Sequence, residues 1–182
     1  MKILILATCF SLFAQPPNIY TLPLNLNAGN VKSMLNFKGK KILIVNTAVN
    51  SRFAPQMADL KTLQDANKTN LVIIFCPSNS FKHEPMFDTE IKKYLFQKKQ
   101  ISNCTIAAKA DVVGVTASPL YKWLTTKALN GVANFKVKDD FHKFLINEKG
   151  DIIGSFTSVV NPLDSIIQNA IKLKTKIVLS NN

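Results

Sequence analysis

Between a buried-type apolar run, KILIVN, and a helix-forming stretch, PQMADLKTLQDAN, the chain turns through Asn50-Ser51-Arg52. That is the layout of a thiol enzyme's reactive corner. The nucleophile sits on the turn, and the N-terminus of the helix behind it stabilises an anion. Here the turn carries a serine and no cysteine. Cys9 lies in the N-terminal apolar run, which leaves Cys76 and Cys104 for the folded part. No pair is spaced as CxxC, so a dithiol–disulfide oxidoreductase of the usual design is excluded. Two cysteines in an oxidising compartment can pair, but spacing alone fixes neither connectivity nor distance. Cys76 follows Ile73-Ile74-Phe75 and precedes Pro77, which reads as a buried, inert strand thiol; Cys104 reads similarly. His83 and His142 are too few and too far apart for a zinc signature.

The elements that must position this corner alternate in type. An extended stretch, IYTLPLNLN, meets the turn NAGN and a short strand, VKSML, which together predict a β-hairpin. KILIVNTA is a β-branched apolar run, as expected of a strand covered on both faces. A helix around 55–67 follows, with Pro55 in its first turn, then a second buried strand, LVIIFCP. SNSFKHEP is loop. DTEIKKYLFQKKQ predicts a helix capped by Asp88 or Thr89. TIAAKAD is extended, and SPLYKWLTTKAL predicts another helix, with Trp123 packing beside Leu120 and Leu124. FHKFLINEKGDIIGSFT predicts a hairpin turning at Glu148-Lys149-Gly150-Asp151. NPLDSIIQNAIKLK predicts a closing helix with Asn161 as cap and Pro162 just inside. The order implies an α/β fold, a thioredoxin-like three-layer α/β/α sandwich with an N-terminal β-hairpin.

Length and charge narrow the setting. The 182 residues suffice for one domain with a full core. Residues 1–14, within MKILILATCFSLFAQPP, have one lysine, an apolar run and small residues before a proline pair, the anatomy of a cleaved secretory signal peptide. The run is too short to span a membrane. The expected organisation is a signal peptide at 1–14, one domain at 18–175 and a tail at 176–182, with export to a periplasmic or extracellular space. The formal net charge is +12. Export and the scattering of lysines as pairs (Lys40-Lys41, Lys92-Lys93, Lys98-Lys99) argue against nucleic acid as a partner. Solvated faces are the plain expectation for these lysines, followed by attraction to anionic envelope surfaces or small acidic ligands.

Five stretches in register resemble the glutathione peroxidase family: NVKSMLNFKGKKILIVNTA, FAPQMADLKTL, NSFKHEP, ASPLYKWL and KFLINEKGDIIGSF. The resemblance runs from Asn18 to Lys174. It implies reduction of hydrogen peroxide and organic hydroperoxides with glutathione or thioredoxin, by a selenocysteine or cysteine supported by Gln, Trp and Asn. Laid over Val49-Asn50-Ser51-Arg52-Phe53-Ala54, the family motif puts Ser51 at the nucleophile. Over Cys76-Pro77-Ser78-Asn79-Ser80-Phe81 it puts Ser80 at the glutamine. Over Asp139-Asp140-Phe141-His142 it puts Asp139 at the tryptophan and Asp140 at the asparagine. Leu95 falls where thioredoxin-dependent members carry a resolving cysteine.

A serine hydroxyl has neither a low pKa nor a sulfenic-acid cycle, so Ser51 cannot reduce peroxide. Two aspartates would also oppose a neighbouring thiolate. The expectation is therefore an exported family homologue with peroxidase activity lost or attenuated. It would act as a binding or structural module for a small-molecule or protein ligand and need no cofactor. A rival is a thiol peroxidase using Cys76 or Cys104 in a rearranged site, with glutathione or thioredoxin as reductant. Ser51, a histidine and Asp139 or Asp140 include the residue types of a Ser-His-Asp hydrolase, but neither histidine is clearly placed to reach Ser51. Asp139, Asp140 and Glu84 could instead form a carboxylate-rich cation site. The plainer expectation assigns no metal and leaves both aspartates solvated before a strand, with His83 bracing its loop and His142 facing solvent or a partner.

Overall fold

In the computed structural model, which describes residues 18–27, 29–101 and 104–173, the N-terminal hairpin is shorter than its apolar runs. A 3-10 turn takes Ile19–Thr21, and only β1 (Pro23–Asn25) and β2 (Val31–Ser33) pair, antiparallel. A second 3-10 turn, Met34–Phe37, replaces the rest of the predicted strand. The expected signal peptide (1–14) and tail (176–182) lie outside the described residues.

The elements that follow are β3 (Lys41–Thr47), α1 (Gln56–Ala66), β4 (Leu71–Pro77), α2 (Asp88–Lys93), β5 (Thr105–Ile106), α3 (Pro119–Thr125), α4 (Lys127–Asn130), β6 (Lys143–Ile146), β7 (Ile152–Phe156) and α5 (Ser165–Lys172). They build a five-stranded sheet in the order β5-β4-β3-β6-β7. β3, β4 and β5 run parallel, while β6 and β7 are antiparallel additions. Side chains alternate across a strand, and β3 uses both faces. Ile42 and Ile44 enter a core with Met34, Leu120, Trp123 and Leu124. Leu43 and Val45 enter a second core with Met57, Leu60, Ile91 and Ile167. Every residue of β3 is buried. Two cores on opposite faces of one sheet make the expected three-layer thioredoxin-like sandwich. No helix among the described residues is long and apolar enough to cross a membrane.

Local hydrogen bonds move several predicted boundaries. The closing helix begins at Ser165 with Asp164 at its N-cap, not Asn161. Asn161 Oδ1 accepts from Leu163 N–H, and Asp164 Oδ2 accepts from Asn161 N–H, so the two side chains fold a separate turn first. Phe87, not Asp88 or Thr89, is the N-cap of α2. Asp88 Oδ1 is engaged elsewhere, accepting from Asn27 Nδ2 and Lys109 N–H. After Lys93 the helix widens into a π turn at Tyr94–Lys98. SPLYKWLTTKAL is two helices, because Thr126 is extended (φ −116°, ψ 114°) and Asn134 Oδ1 takes the Lys127 N–H.

Not every paired lysine faces water. Lys41 is buried, and its Nζ donates to Glu148 Oε1 (2.6 Å) and to the Leu173 carbonyl (2.8 Å). One ammonium thus ties the start of β3 to the β6–β7 turn and the end of α5. Lys143 is buried too, with its Nζ on the Phe141 carbonyl at 2.7 Å.

Candidate functional site

The sheet delivers three loops to one end. β3 and β4 are parallel and finish level, Thr47 opposite Pro77, so the segments after them emerge side by side. β6 runs the other way, with Lys143 opposite Val45, so the segment before it arrives at the same end. Open parallel sheets place ligands at this end. Asn46 pins the third loop: its carbonyl accepts from Phe141 N–H at 2.6 Å, and its Nδ2 donates to the Asp139 carbonyl.

The corner after β3 is held by main-chain bonds. Val49 N–H donates to Glu84 Oε2, Asn50 N–H to the His83 carbonyl, and Ala54 N–H to the Ser51 carbonyl. Ser51 is buried, and its Oγ accepts from Phe53 N–H at 3.2 Å. Asp140 arrives from the third loop, wholly buried, with Oδ2 2.6 Å from His83 Nδ1. Lys82 (φ 67°) precedes His83 and Phe141 (φ 60°) follows Asp140, so a non-glycine residue in the left-handed region flanks each member of the pair. Such conformations cost of order 1–3 kcal/mol each and persist only where the surroundings impose them. Arg52 reaches Asp139 Oδ2 at 2.9 Å, and Asp139 Oδ1 takes the Asp140 N–H.

Burial pushes the Asp140 carboxyl above its ordinary range. His83 pulls it back, as does the Ser51 hydroxyl beside it, while the Asp139 charge pushes upward. The Ser51 hydroxyl stands beside the carboxyl without a well-aligned bond to Oδ1, which has no such partner among the described residues. The expectation of two solvated aspartates therefore fails for Asp140. The loop bonds to β3 carry it under the corner, and the imidazole supplies a partner there. The sequence spacing gives no sign of this pairing across 57 residues. The signal is topological, since both loops flank strands that pair with β3.

Other predicted residues are placed differently. Ser80 does not join this cluster by any hydrogen bond; its Oγ contacts Ser78 Oγ, Asp111 Oδ1 and the Val112 N–H. Glu84 is buried, and its two oxygens take the Val49 and Met86 N–H groups, so it serves the corner's backbone rather than a carboxylate cation site. His142 does not face solvent. It is buried against Phe144, with Nε2 2.9 Å from Ser155 Oγ, and burial followed by the Lys143 charge pushes it down to about 4. Leu95 is a buried core residue.

Cys76 and Cys104 are unpaired. Burial pushes the Cys76 thiol up to about 12, slightly relieved by Tyr121, and the half-buried Cys104 thiol up to about 11. Neither has the exposure and lowered pKa that a reactive thiol needs. The hydrolase arrangement also fails on order. Asp140 contacts both Ser51 and His83, and no hydrogen bond joins His83 to Ser51 among the described residues. A triad requires the imidazole between the other two. A mixed N/O ligand set does exist: one ligand atom each from His83, Asp139 and Asp140 lie within 4.8 Å of one another. Elsewhere an open groove of about 680 Å³ has Phe81, Val112 and Phe135 on its walls and Lys122, Lys136 and Lys138 among its polar residues.

Comparison with known proteins gives a consistent picture. The Glutathione peroxidase family model matches residues 19–125. A glutathione peroxidase-like peroxiredoxin of Schizosaccharomyces pombe is 33% identical over 136 residues, covering 74% of this chain and 85% of that protein. A glutathione peroxidase of Lactococcus lactis is 34% identical over 136 residues, with the same coverage. Among solved structures, apo Trgpx superposes with a TM-score of 0.65 at 28% identity, covering 86% of this chain and 97% of that one. A thioredoxin-family thiol:disulfide interchange protein of Chlorobium tepidum shares the fold, with a TM-score of 0.60 at 17% identity, covering 87% of this chain and 98% of that one.

Proposed function

The chain belongs to the glutathione peroxidase family, and we propose that within it this is an exported member that has left peroxide chemistry and persists as a binding module. One observation carries the reading: the corner holds a serine hydroxyl, and the group beside it is a wholly buried carboxyl, Asp140. Peroxide reduction needs a sulfur or selenium atom that cycles through an oxidised state. The supporting groups must also favour its anion, and a buried carboxylate disfavours it. The lysine-bordered groove supports binding of an anionic ligand, in keeping with the net charge of +12.

The experiment is peroxide consumption by purified protein supplied with glutathione or with a thioredoxin system. The expected result is no turnover above the protein-free rate. Turnover abolished by Cys76→Ser would overturn the reading in favour of a displaced thiol site. Turnover retained without Cys76 and Cys104 would overturn both.

A further inference from the structure

Asp140 has one oxygen whose environment its own hydrogen bonds do not explain. The side chain is wholly buried and Oδ2 is satisfied by His83, yet among the described residues Oδ1 has no well-aligned hydrogen-bond partner, the Ser51 hydroxyl being the polar group beside the carboxyl. Leaving a buried polar atom unpartnered costs about 1–3 kcal/mol, and folded proteins rarely do so without cause. Around this carboxyl stand a second carboxylate and an imidazole, with ligand atoms no more than 4.8 Å apart.

We infer that His83, Asp139 and Asp140 form a binding site for a divalent first-row transition ion of the zinc class. The donor set selects the ion. An imidazole beside two carboxylates suits Zn²⁺, Mn²⁺ or Fe²⁺, whereas Ca²⁺ and Mg²⁺ take oxygen donors, and the site has no thiolate for Cu(I). Zinc–ligand bonds of about 2.0–2.2 Å place the ligand atoms closer together than their outer limit here, so the cluster contracts on binding. Asp140 is fixed and sets the position. His83 is 45% exposed, and Asp139 Oδ2 is engaged by Arg52, whose side chain is 76% exposed and lies over the Phe53 ring.

Asp139, Asp140 and Glu84 gather here beside Arg52 and Lys109, with Lys82 and Lys138 adjoining along the chain, so the donor set rather than net charge selects the ion. The inference does not depend on whether peroxide turnover survives.

The test is calorimetric titration of chelator-treated protein with ZnCl₂, with thermal melts in Zn²⁺, Mn²⁺ and Ca²⁺. The expected result is one Zn²⁺ per chain and a raised Tm, with no shift in Ca²⁺. His83→Ala and Asp140→Asn should each weaken zinc binding by roughly tenfold or more, because even outer-shell partners of metal sites are worth about 10–100-fold. Arg52→Ala should tighten it by freeing Asp139. Absence of saturable one-to-one binding would overturn the site, as would equal affinity in wild type and His83→Ala, or stabilisation by Ca²⁺ matching that by Zn²⁺. If Asp140→Asn fails to fold, His83→Ala on its half-exposed side chain decides the matter.

Discussion

His83 Nδ1 lies 2.6 Å from Asp140 Oδ2, and the two partners sit on opposite sides of the protein surface: the imidazole is half exposed and the carboxyl is wholly buried. The bond is therefore the means by which a buried acid is tolerated. His83→Ala should destabilise the fold by about 1–3 kcal/mol in urea melts near neutral pH. A carboxyl raised by burial contributes stability below its unfolded pKa and loses it as pH rises through the folded value. The cost of His83→Ala should thus grow with pH across the carboxylate range and shrink in His83→Ala/Asp140→Asn. A pH-independent cost would contradict this account.

Restoring a thiol should not restore the chemistry. Ser51→Cys places sulfur beside the Asp140 carboxyl, which holds a thiol above its ordinary pKa. Iodoacetamide should alkylate it more slowly at pH 7 than an ordinary exposed cysteine, and faster in Ser51→Cys/Asp140→Asn. Fast alkylation of the single variant would show that Asp140 does not govern the site.

The native thiols should be silent. With Cys76 pushed to about 12 and Cys104 to about 11, neither should react with a disulfide reagent at pH 8 on a timescale of minutes. Both should titrate once the protein is unfolded in guanidinium. Rapid reaction of one thiol in folded protein would revive the displaced-thiol rival.

Acid should weaken the fold through His142. Burial pushes its pKa from the ordinary 6.5 down to about 4, so below 6.5 the unfolded chain takes up a proton that the folded one refuses. Stability attributable to this group falls as pH drops from 6.5 to 4, by about 3 kcal/mol at most. His142→Phe keeps a ring on Phe144 and should flatten that part of the urea midpoint profile. An unchanged slope would place the acid sensitivity elsewhere.

Lys143 acts at the other end of the scale. Burial lowers its pKa from 10.5 to about 8, partly offset by Asp164. The charged form is disfavoured in the fold, so this group's contribution rises as pH climbs from 8 to 10.5. Lys143→Met should be more favourable at pH 7 than at pH 10.5 by about 3 kcal/mol, read from paired chemical melts. Equal effects at both pH values would mean that the ammonium is well solvated.

The sheet was legible because its strands are continuous apolar runs. KILIVNT and LVIIFCP allow one reading, and the hairpin KFLINEKGDIIGSF announces its own turn. Helix starts were less legible, because Asp88 and Asn161 are cap-type residues whose side chains are used in other bonds. The candidate site was half legible. Ser51 and the aspartates lie on loops at one end of the sheet, as the strand order implies, but the burial of Asp140 and its bond to His83 depend on two loops meeting in space. The burial of His142 was hidden for a similar reason. Beside Phe141 and Lys143 it reads as a strand alternation, while the structure buries all three.

The turn around Ser51 is shaped by its own amides and carbonyls, and by Glu84 and the His83 carbonyl reaching across from the neighbouring loop. Of the bonds in this turn, the one from Phe53 N–H to Ser51 Oγ depends on which atom terminates the side chain at 51, and the rest do not. The shape of this corner and the chemistry of its central side chain are therefore largely separable: the same backbone frame can present a different atom at its apex.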